Sequence, residues 1–276
     1  MSDHLAAVLI GIVEGLTEFL PVSSTAHIRI TQNLIGIPAD DEFWKMFAIV
    51  IQLGAILAVV GYFVRRLKTL LFDFCRPATS LTARVNHPIA LVVISFVVTA
   101  IPCFLMDKFI GENLESFTII GWALLVGGIV MWAIDARYGE RFNTKSLGEM
   151  NLRQAIGIGA AQILAAAFPG TSRSMATIAA GQLAGLSRPV ALEFSFFLSI
   201  PVMFAATGYK LLQFAVDSPT GLTSHRIGVL VTGFVVSFVV ALVVVAALMA
   251  WVRRRGFAPF AVYRIIAGVS VLAFAL

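Results

Sequence analysis

Charge is what this chain has least of: Asp, Glu, Lys and Arg make up 13% of its 276 residues, against 59% hydrophobic. Soluble domains carry about 25% charged residues. The shortage, with a mean hydropathy of +0.93, excludes an ordinary soluble globule and points to an integral membrane protein. No polar segment is long enough to build a separate soluble core, so residues 1–276 are read as a single membrane domain. Cysteine is scarce too. Cys75 and Cys103 have neither metal-ligand spacing nor a neighbouring histidine, so no zinc or redox centre is expected and both are read as structural. The opening Met1-Ser2-Asp3-His4 lacks the basic segment of a cleavable signal peptide, so none is expected. The net charge of +5 is not interleaved with aromatics, which excludes a nucleic-acid groove.

Long apolar runs, by contrast, recur from end to end. Six can cross a bilayer as helices: residues 44–64, 87–106, 117–134, 189–213, 227–251 and 257–275. Two further pairs are too short to cross. Residues 5–20 and 23–35 meet at Pro21, residues 153–168 and 171–185 meet at Pro169, and each pair is read as a re-entrant hairpin turning at its proline. Basic residues gather in the connections holding Arg65, Arg66, Lys68, Arg76 and Arg84, then Arg137, Arg141, Lys145 and Arg153, then Arg253, Arg254 and Arg255. By the positive-inside rule these face the cytoplasm. The cation-poor stretches Lys108–Ser116 and Asp217–Arg226 then lie outside, with both termini.

That orientation opens the Pro21 hairpin outward and the Pro169 hairpin inward. The sequence carries the same relation, since IGIVEGLTEFLPVSST aligns without a gap on IGAAQILAAAFPGTSR at an offset of 148 residues. Gly11 falls on Gly159, Glu14 on Gln162, Pro21 on Pro169 and Ser24 on Ser172. With one hairpin followed by three spans in each half, the expected fold is an all-α polytopic membrane protein. Its repeats, about residues 1–134 and 153–276, have inverted topology.

The polar residues of this apolar chain cluster around the two prolines. EGLTEFLPVSSTAH, residues 14–27, sets two carboxylates, four hydroxyls and a histidine around Pro21. Ionisable groups at membrane depth cost roughly 2.5–3.5 kcal/mol each on insertion scales, so such a cluster is a functional-site hypothesis. Glu14 and Glu18, four residues apart, share a helix face and can hold a divalent cation or share a proton, or simply bond a neighbouring helix. Ser23, Ser24 and Thr25 stand where the return helix starts, a place that attracts phosphate, although a serine there can be an N-cap and nothing more. His27, three residues past Ser24, can serve as base or acid, or be hydrogen-bonded only.

The second turn reads PGTSRS, residues 169–174, with Gly170 freeing the backbone and Thr171, Ser172 and Ser174 offering hydroxyls. Arg173 matches phosphate with its planar fork, or pairs with Glu14 or Glu18. The halves are not equivalent, because Gln162 and Ala166 stand where the first has Glu14 and Glu18, and Arg173 aligns on Thr25. One site at the junction of the two hairpins fits this better than two sites. Glu193 and Arg264, inside spans, are expected to pair with each other or line the cavity; Asp135 and Lys210, near membrane borders, are expected to snorkel to water.

EGLTEFLPVSSTAH and PGTSRS, with the Phe194-Ser195-Phe196 run and FAPFAVYR at residues 257–264, resemble the bacterial undecaprenyl-diphosphate phosphatase family of the UppP or BacA type. The resemblance covers essentially the whole chain. It implies hydrolysis of undecaprenyl diphosphate to undecaprenyl phosphate and inorganic phosphate in the cytoplasmic membrane, recycling the lipid carrier for cell-wall polymers and conferring bacitracin resistance. It also implies dependence on a divalent cation, Mg2+ or Ca2+, and functional residues at Glu14, Glu18, Ser24, His27 and Arg173. One departure is Ala26, where the family motif usually has glycine. On this reading the diphosphate enters from the outer face. Arg173 and the helix N-termini bind its oxygens, Glu14 and Glu18 hold metal or manage protons, and Ser24 attacks, activated by His27 or Glu18. Direct attack by water is the alternative to a phosphoserine. A prenyl-phosphate flippase is the rival function, since inverted repeats suit carriers. The sequence leaves monomer and homodimer both open.

Overall fold

The computed structural model describes residues 1–38, 40–78, 80–106, 116–217 and 223–275, and among them the chain is helical with no β-strand. Helix α1 (Asp3–Thr17) starts at Ser2, whose hydroxyl accepts from Leu5 N–H, and α2 (Ser24–Leu34) starts at Ser23. Fifteen and eleven residues rise only about 22 and 16 Å, well short of a bilayer core of about 30 Å. Helix α3 (Glu42–Tyr62) is the first long enough to cross. It runs almost directly into α4 (Val64–Cys75), followed by the short α5 (Leu81–Val85) and then by α6 (Pro88–Leu105) and α7 (Phe117–Tyr138). A second short pair, α8 (Leu152–Ala167) and α9 (Arg173–Leu183), precedes α10 (Arg188–Asp217), α11 (Ser224–Arg255) and α12 (Ala258–Ala275).

Among the described residues, helices α3, α6, α7, α10, α11 and α12 are the six long and apolar enough to cross a membrane, at the positions expected. They make this a multi-pass membrane protein. Large apolar side chains such as Val243, Leu105 and Phe274 stand 67–92% exposed on their outer faces, a surface that lipid rather than water covers. The core gathers Phe19, Phe63, Phe194, Phe196 and Phe257 around the middle of the bundle.

Each short pair packs against the other half of the chain. A Cβ on Gly11 or Gly15 of α1 would stand 2.8 Å from the carbonyl oxygen of Gly233 or Ser237 on α11, so only glycine admits this approach. Gly159 of α8 meets Ser95 of α6 in the same way, its virtual Cβ 2.6 Å from Ser95 O. There Ser95 Oγ donates to Ala155 O at 2.6 Å and Thr99 Oγ1 to Gly159 O at 2.8 Å. The third long helix of each half, α7 and α12, lie along one another with glycines 121, 127, 128 and 268 in the seam.

Several expectations are corrected. The basic connection after residue 64 is largely the helix α4, because Leu67 and Leu70 turn toward the core while Arg65, Arg66 and Lys68 face outward. Cys75 closes that helix exposed, so it does not pack as a small hydrophobe. Asp135 does not reach for water: it is 3% exposed. Its Oδ1 accepts from Arg188 Nε at 2.7 Å and Gln182 Nε2 at 2.8 Å, and Oδ2 from Phe257 N–H at 3.0 Å. This carboxylate therefore ties α7 to α9, α10 and the start of α12. Glu193 and Arg264 do not pair, since Glu193 meets Arg66 at 3.3 Å and Arg264 lies elsewhere. Most of Lys108–Ser116 and part of Asp217–Arg226, expected outside, fall beyond the described residues.

Candidate active site

Two turns meet at the middle of the bundle. In the first, the chain leaves α1 through Glu18, which still has helical backbone angles, and passes Pro21 to reach Ser23 at φ 76°. In the second it passes Pro169 and Gly170, at φ 94°, to reach Ser172 at φ 72°. A non-glycine residue with positive φ is uncommon and strained. Ser23 and Ser172 are the two such residues among those described, and both are N-caps. Ser23 Oγ accepts from Ala26 N–H at 3.4 Å and Ser172 Oγ from Met175 N–H at 3.3 Å.

The prolines stand 148 residues apart and the cap serines one more, because the second turn has an extra residue between proline and cap. The gapless alignment therefore slips inside the turn. Ser172 corresponds in space to Ser23 rather than Ser24, and Arg173 corresponds to Ser24 rather than Thr25. The serine and the arginine are the first helical residues of α2 and α9, and both helix N-termini offer N–H groups without intrahelical partners.

Between them lies a cavity of about 120 Å³ lined by Glu18, Ser23, Ser24 and Thr25 from the first turn and Gly170, Ser172 and Arg173 from the second. Glu18 joins the two sides. Its Oε2 accepts from Ser24 Oγ at 2.6 Å and its Oε1 from Arg173 Nη2 at 3.1 Å. Arg173 Nη1 donates to Ser195 O at 3.2 Å, so the Phe194-Ser195-Phe196 run anchors the guanidinium from behind. Phe196 packs edge-on against Phe19 at 5.2 Å, both rings fully buried. A second bridge runs from Ser174 Oγ to Leu20 O at 3.0 Å, with Ser172 Oγ 3.0 Å from Ser174 Oγ. Thr171 stays on the turn, its N–H donating to Phe168 O at 3.1 Å.

Of the two candidate bases, the structure puts Glu18 on Ser24 and turns His27 away. His27 Nδ1 lies 2.7 Å from Ser23 O, which only accepts, so in the neutral ring Nδ1 carries the hydrogen and Nε2 accepts from the Tyr263 hydroxyl at 2.6 Å. The ring stacks on Tyr263 with centroids 5.6 Å apart. Tyr263, and Gln52 on the cavity wall, escaped the sequence reading. Gln52 was detectable as a lone amide within an apolar span, and Tyr263 as the neighbour of Arg264.

Glu14, one turn above Glu18, is fully buried, and neither carboxylate oxygen has a hydrogen-bond partner among the described residues. Its counterpart Gln162 bonds Thr99 Oγ1 at 3.1 Å. No cluster of three or more His, Cys, Asp or Glu occurs among the described residues, so a closed protein cage for a metal is not formed there. Glu18 on the cavity wall, with the unpartnered Glu14 one turn behind it, nevertheless fits a hard divalent cation, which commonly takes one or two protein carboxylates and completes its shell with other oxygens.

Residues 7–270 match the family described as bacitracin resistance protein BacA. A protein of Koribacter versatilis named undecaprenyl-diphosphatase is 52% identical over 100% of this chain and 99% of its own length. Relatives of the same name from Novosphingobium aromaticivorans and Desulfitobacterium hafniense are 42% and 38% identical, each over 99% of this chain and 98% and 96% of their own lengths. With the match running from α1 to α12 and through both turns, the chain belongs to the bacitracin resistance protein BacA family.

Proposed function

We infer that this protein is an undecaprenyl-diphosphatase of the bacterial cytoplasmic membrane, hydrolysing undecaprenyl diphosphate to undecaprenyl phosphate and inorganic phosphate. That reaction recycles the lipid carrier for cell-wall synthesis and accounts for bacitracin resistance. One observation carries the reading: Glu18 holds Ser24 with one oxygen and Arg173 with the other, across two turns, beside a cavity sized for a phosphate group. The short helices α1/α2 and α8/α9 are re-entrant hairpins of an inverted repeat, a reading supported by their insufficient length, their matching left-handed serines and their exchange of packing partners between halves. The outer-facing hairpin is then the first, and the prenyl tail stays in lipid while the diphosphate reaches Ser24.

In the first step Ser24 Oγ attacks the terminal phosphorus. The Oγ–P bond forms, the bridging P–O bond breaks, undecaprenyl phosphate leaves and the serine proton passes to Glu18 Oε2. Water then attacks the phosphoserine: the new P–O bond forms as the Oγ–P bond breaks, Glu18 returns its proton to Oγ and the water's protons leave with the inorganic phosphate, so the sum is one diphosphate and one water to two phosphates. Arg173, the Thr25 hydroxyl and the N-termini of α2 and α9 stabilise the charge on the equatorial oxygens, while the Ser172 and Ser174 hydroxyls, bonded to each other and to Leu20 O, brace the two turns. Glu14 and Glu18 would hold a Mg2+ or Ca2+ ion, which supplies Lewis-acid polarisation of the phosphoryl group when bound. His27 fixes the Ser23 carbonyl and receives the Tyr263 hydroxyl, which positions the turn rather than the nucleophile.

A flippase remains the second reading because the likeness of the two turns suits a carrier. The chemistry is not shared between the turns, however, and a carrier needs no serine bonded to a carboxylate. The deciding experiment measures phosphate release from undecaprenyl diphosphate by purified protein in detergent, with and without chelator. Release that stops with chelator and returns with Mg2+ or Ca2+ supports the phosphatase and its cation; no release under any metal condition overturns it in favour of the carrier.

A further inference from the structure

Arg264 of α12 is fully buried, and its bonded partners are backbone carbonyls. Nη1 donates to Pro21 O at 3.3 Å, and Nη2 to Gly170 O at 3.0 Å and Ala123 O at 2.9 Å. Pro21 belongs to the first turn, Gly170 to the second and Ala123 to α7, so one guanidinium pins three segments together. No carboxylate neutralises it among the described residues. A buried cation without a counter-ion is a costly way to hold helices, since well-packed hydrophobic residues serve as well or better. Its seat is also cut to fit: a Cβ on Gly127 would collide with Nη2, and one on Gly128 would stand 3.0 Å from Arg264 Cβ.

The two turn carbonyls it grips are equivalent. Pro21 lies two residues before the left-handed Ser23, and Gly170 two residues before the left-handed Ser172. Holding both carbonyls on one rigid planar fork fixes the angle between the peptides that launch α2 and α9. Those helices begin with Ser24 and Arg173, the residues whose relative placement the phosphoryl transfer depends on.

We propose that Arg264 is a positioning residue for phosphoryl transfer, locking the two turns so that Ser24 Oγ and the Arg173 guanidinium address the same phosphorus. The proposal rests on the phosphatase reading above. Misplacement by an ångström far from the chemistry can cost about 100-fold in rate, and the loss falls on kcat because Arg173 and the cavity wall that bind phosphate remain.

The test compares wild type, Arg264→Lys and Arg264→Met as purified proteins, with kcat and KM for phosphate release normalised to folded protein by gel filtration and thermal unfolding. Arg264→Met is expected to lose about 100-fold in kcat with KM within threefold of wild type. Arg264→Lys keeps the charge without the fork and is expected about tenfold below wild type, again in kcat. Wild-type kcat in Arg264→Lys, or a kcat per folded molecule within threefold of wild type in Arg264→Met, overturns the proposal, as does a rise in KM at constant kcat. Should Arg264→Met not fold, Arg264→Lys decides alone. An inactive wild type instead overturns the phosphatase reading, so the two failures are distinct.

Discussion

The turn at Pro21 and the turn at Pro169 bring the chain to a serine with nearly the same left-handed backbone, φ 76° and 72°, and then set different residues at the next position: Ser24 in one, Arg173 in the other. The helices leading into them diverge as well. Glu14 lies on α1 and Glu18 caps it, whereas α8 carries Gln162 and Ala166; Gln162 donates its Nε2 to Thr99, while neither oxygen of Glu14 has a partner among the described residues. A shared backbone device thus presents a hydroxyl bonded to a carboxylate from one side and a guanidinium from the other, the groups that the proposed mechanism uses as nucleophile, base and fixed cation. The two turns share their backbone geometry and differ in a few polar residues.

The comparison breaks most severely at Ser24. Ser24→Ala is expected to lower kcat by about 10³-fold or more, and a phosphoserine should be trappable at residue 24 in wild type by rapid acid quench and mass spectrometry. Turnover by Ser24→Ala within tenfold of wild type would make water the direct nucleophile. On the other side, Arg173→Lys removes a planar fork that holds Glu18 and faces phosphate. Losing one charge-assisted hydrogen bond, about 1.5–3 kcal/mol, corresponds to about 10–100-fold in kcat/KM. Steady-state kinetics should show it chiefly as a raised KM.

Glu14→Gln sharpens the contrast by giving the first half the amide that the second half has. Phosphate release titrated with Mg2+ should then need about tenfold or more additional metal, on the scale by which disturbing a ligand set weakens metal affinity. An unchanged metal titration would remove Glu14 from the cation site. The smallest effect is expected at Tyr263→Phe, which takes one hydrogen bond from His27, about 1 kcal/mol or roughly fivefold in kcat. A loss as large as that of Ser24→Ala would place His27 and Tyr263 in the chemistry itself.

Much of this was legible because a lipid-facing sequence makes polar residues conspicuous. Glu18, Ser24 and Arg173 stood out by their expense alone, and the six long helices by their apolar length. What stayed hidden depended on angles and partners. The left-handed turn at Ser23 points His27 at Tyr263 and leaves Ser24 to Glu18, which helical spacing from Ser24 to His27 could not reveal. The one-residue slip between the turns was invisible to a gapless alignment, since it comes from the extra residue before Ser172. Asp135 read as a border residue because Arg188, Gln182 and Phe257 come from other elements. Helix α4 was masked by its own charges.

A double-mutant cycle across the two turns tests the central claim most directly, with kcat/KM for phosphate release measured for wild type, Glu18→Ala, Arg173→Ala and the double variant. If Glu18 and Arg173 form one site, as their 3.1 Å contact implies, the double variant should be scarcely worse than the poorer single one, with a coupling of about 1 kcal/mol or more. Losses that simply multiply would mean that the two turns act independently, and would contradict a single site built at their junction.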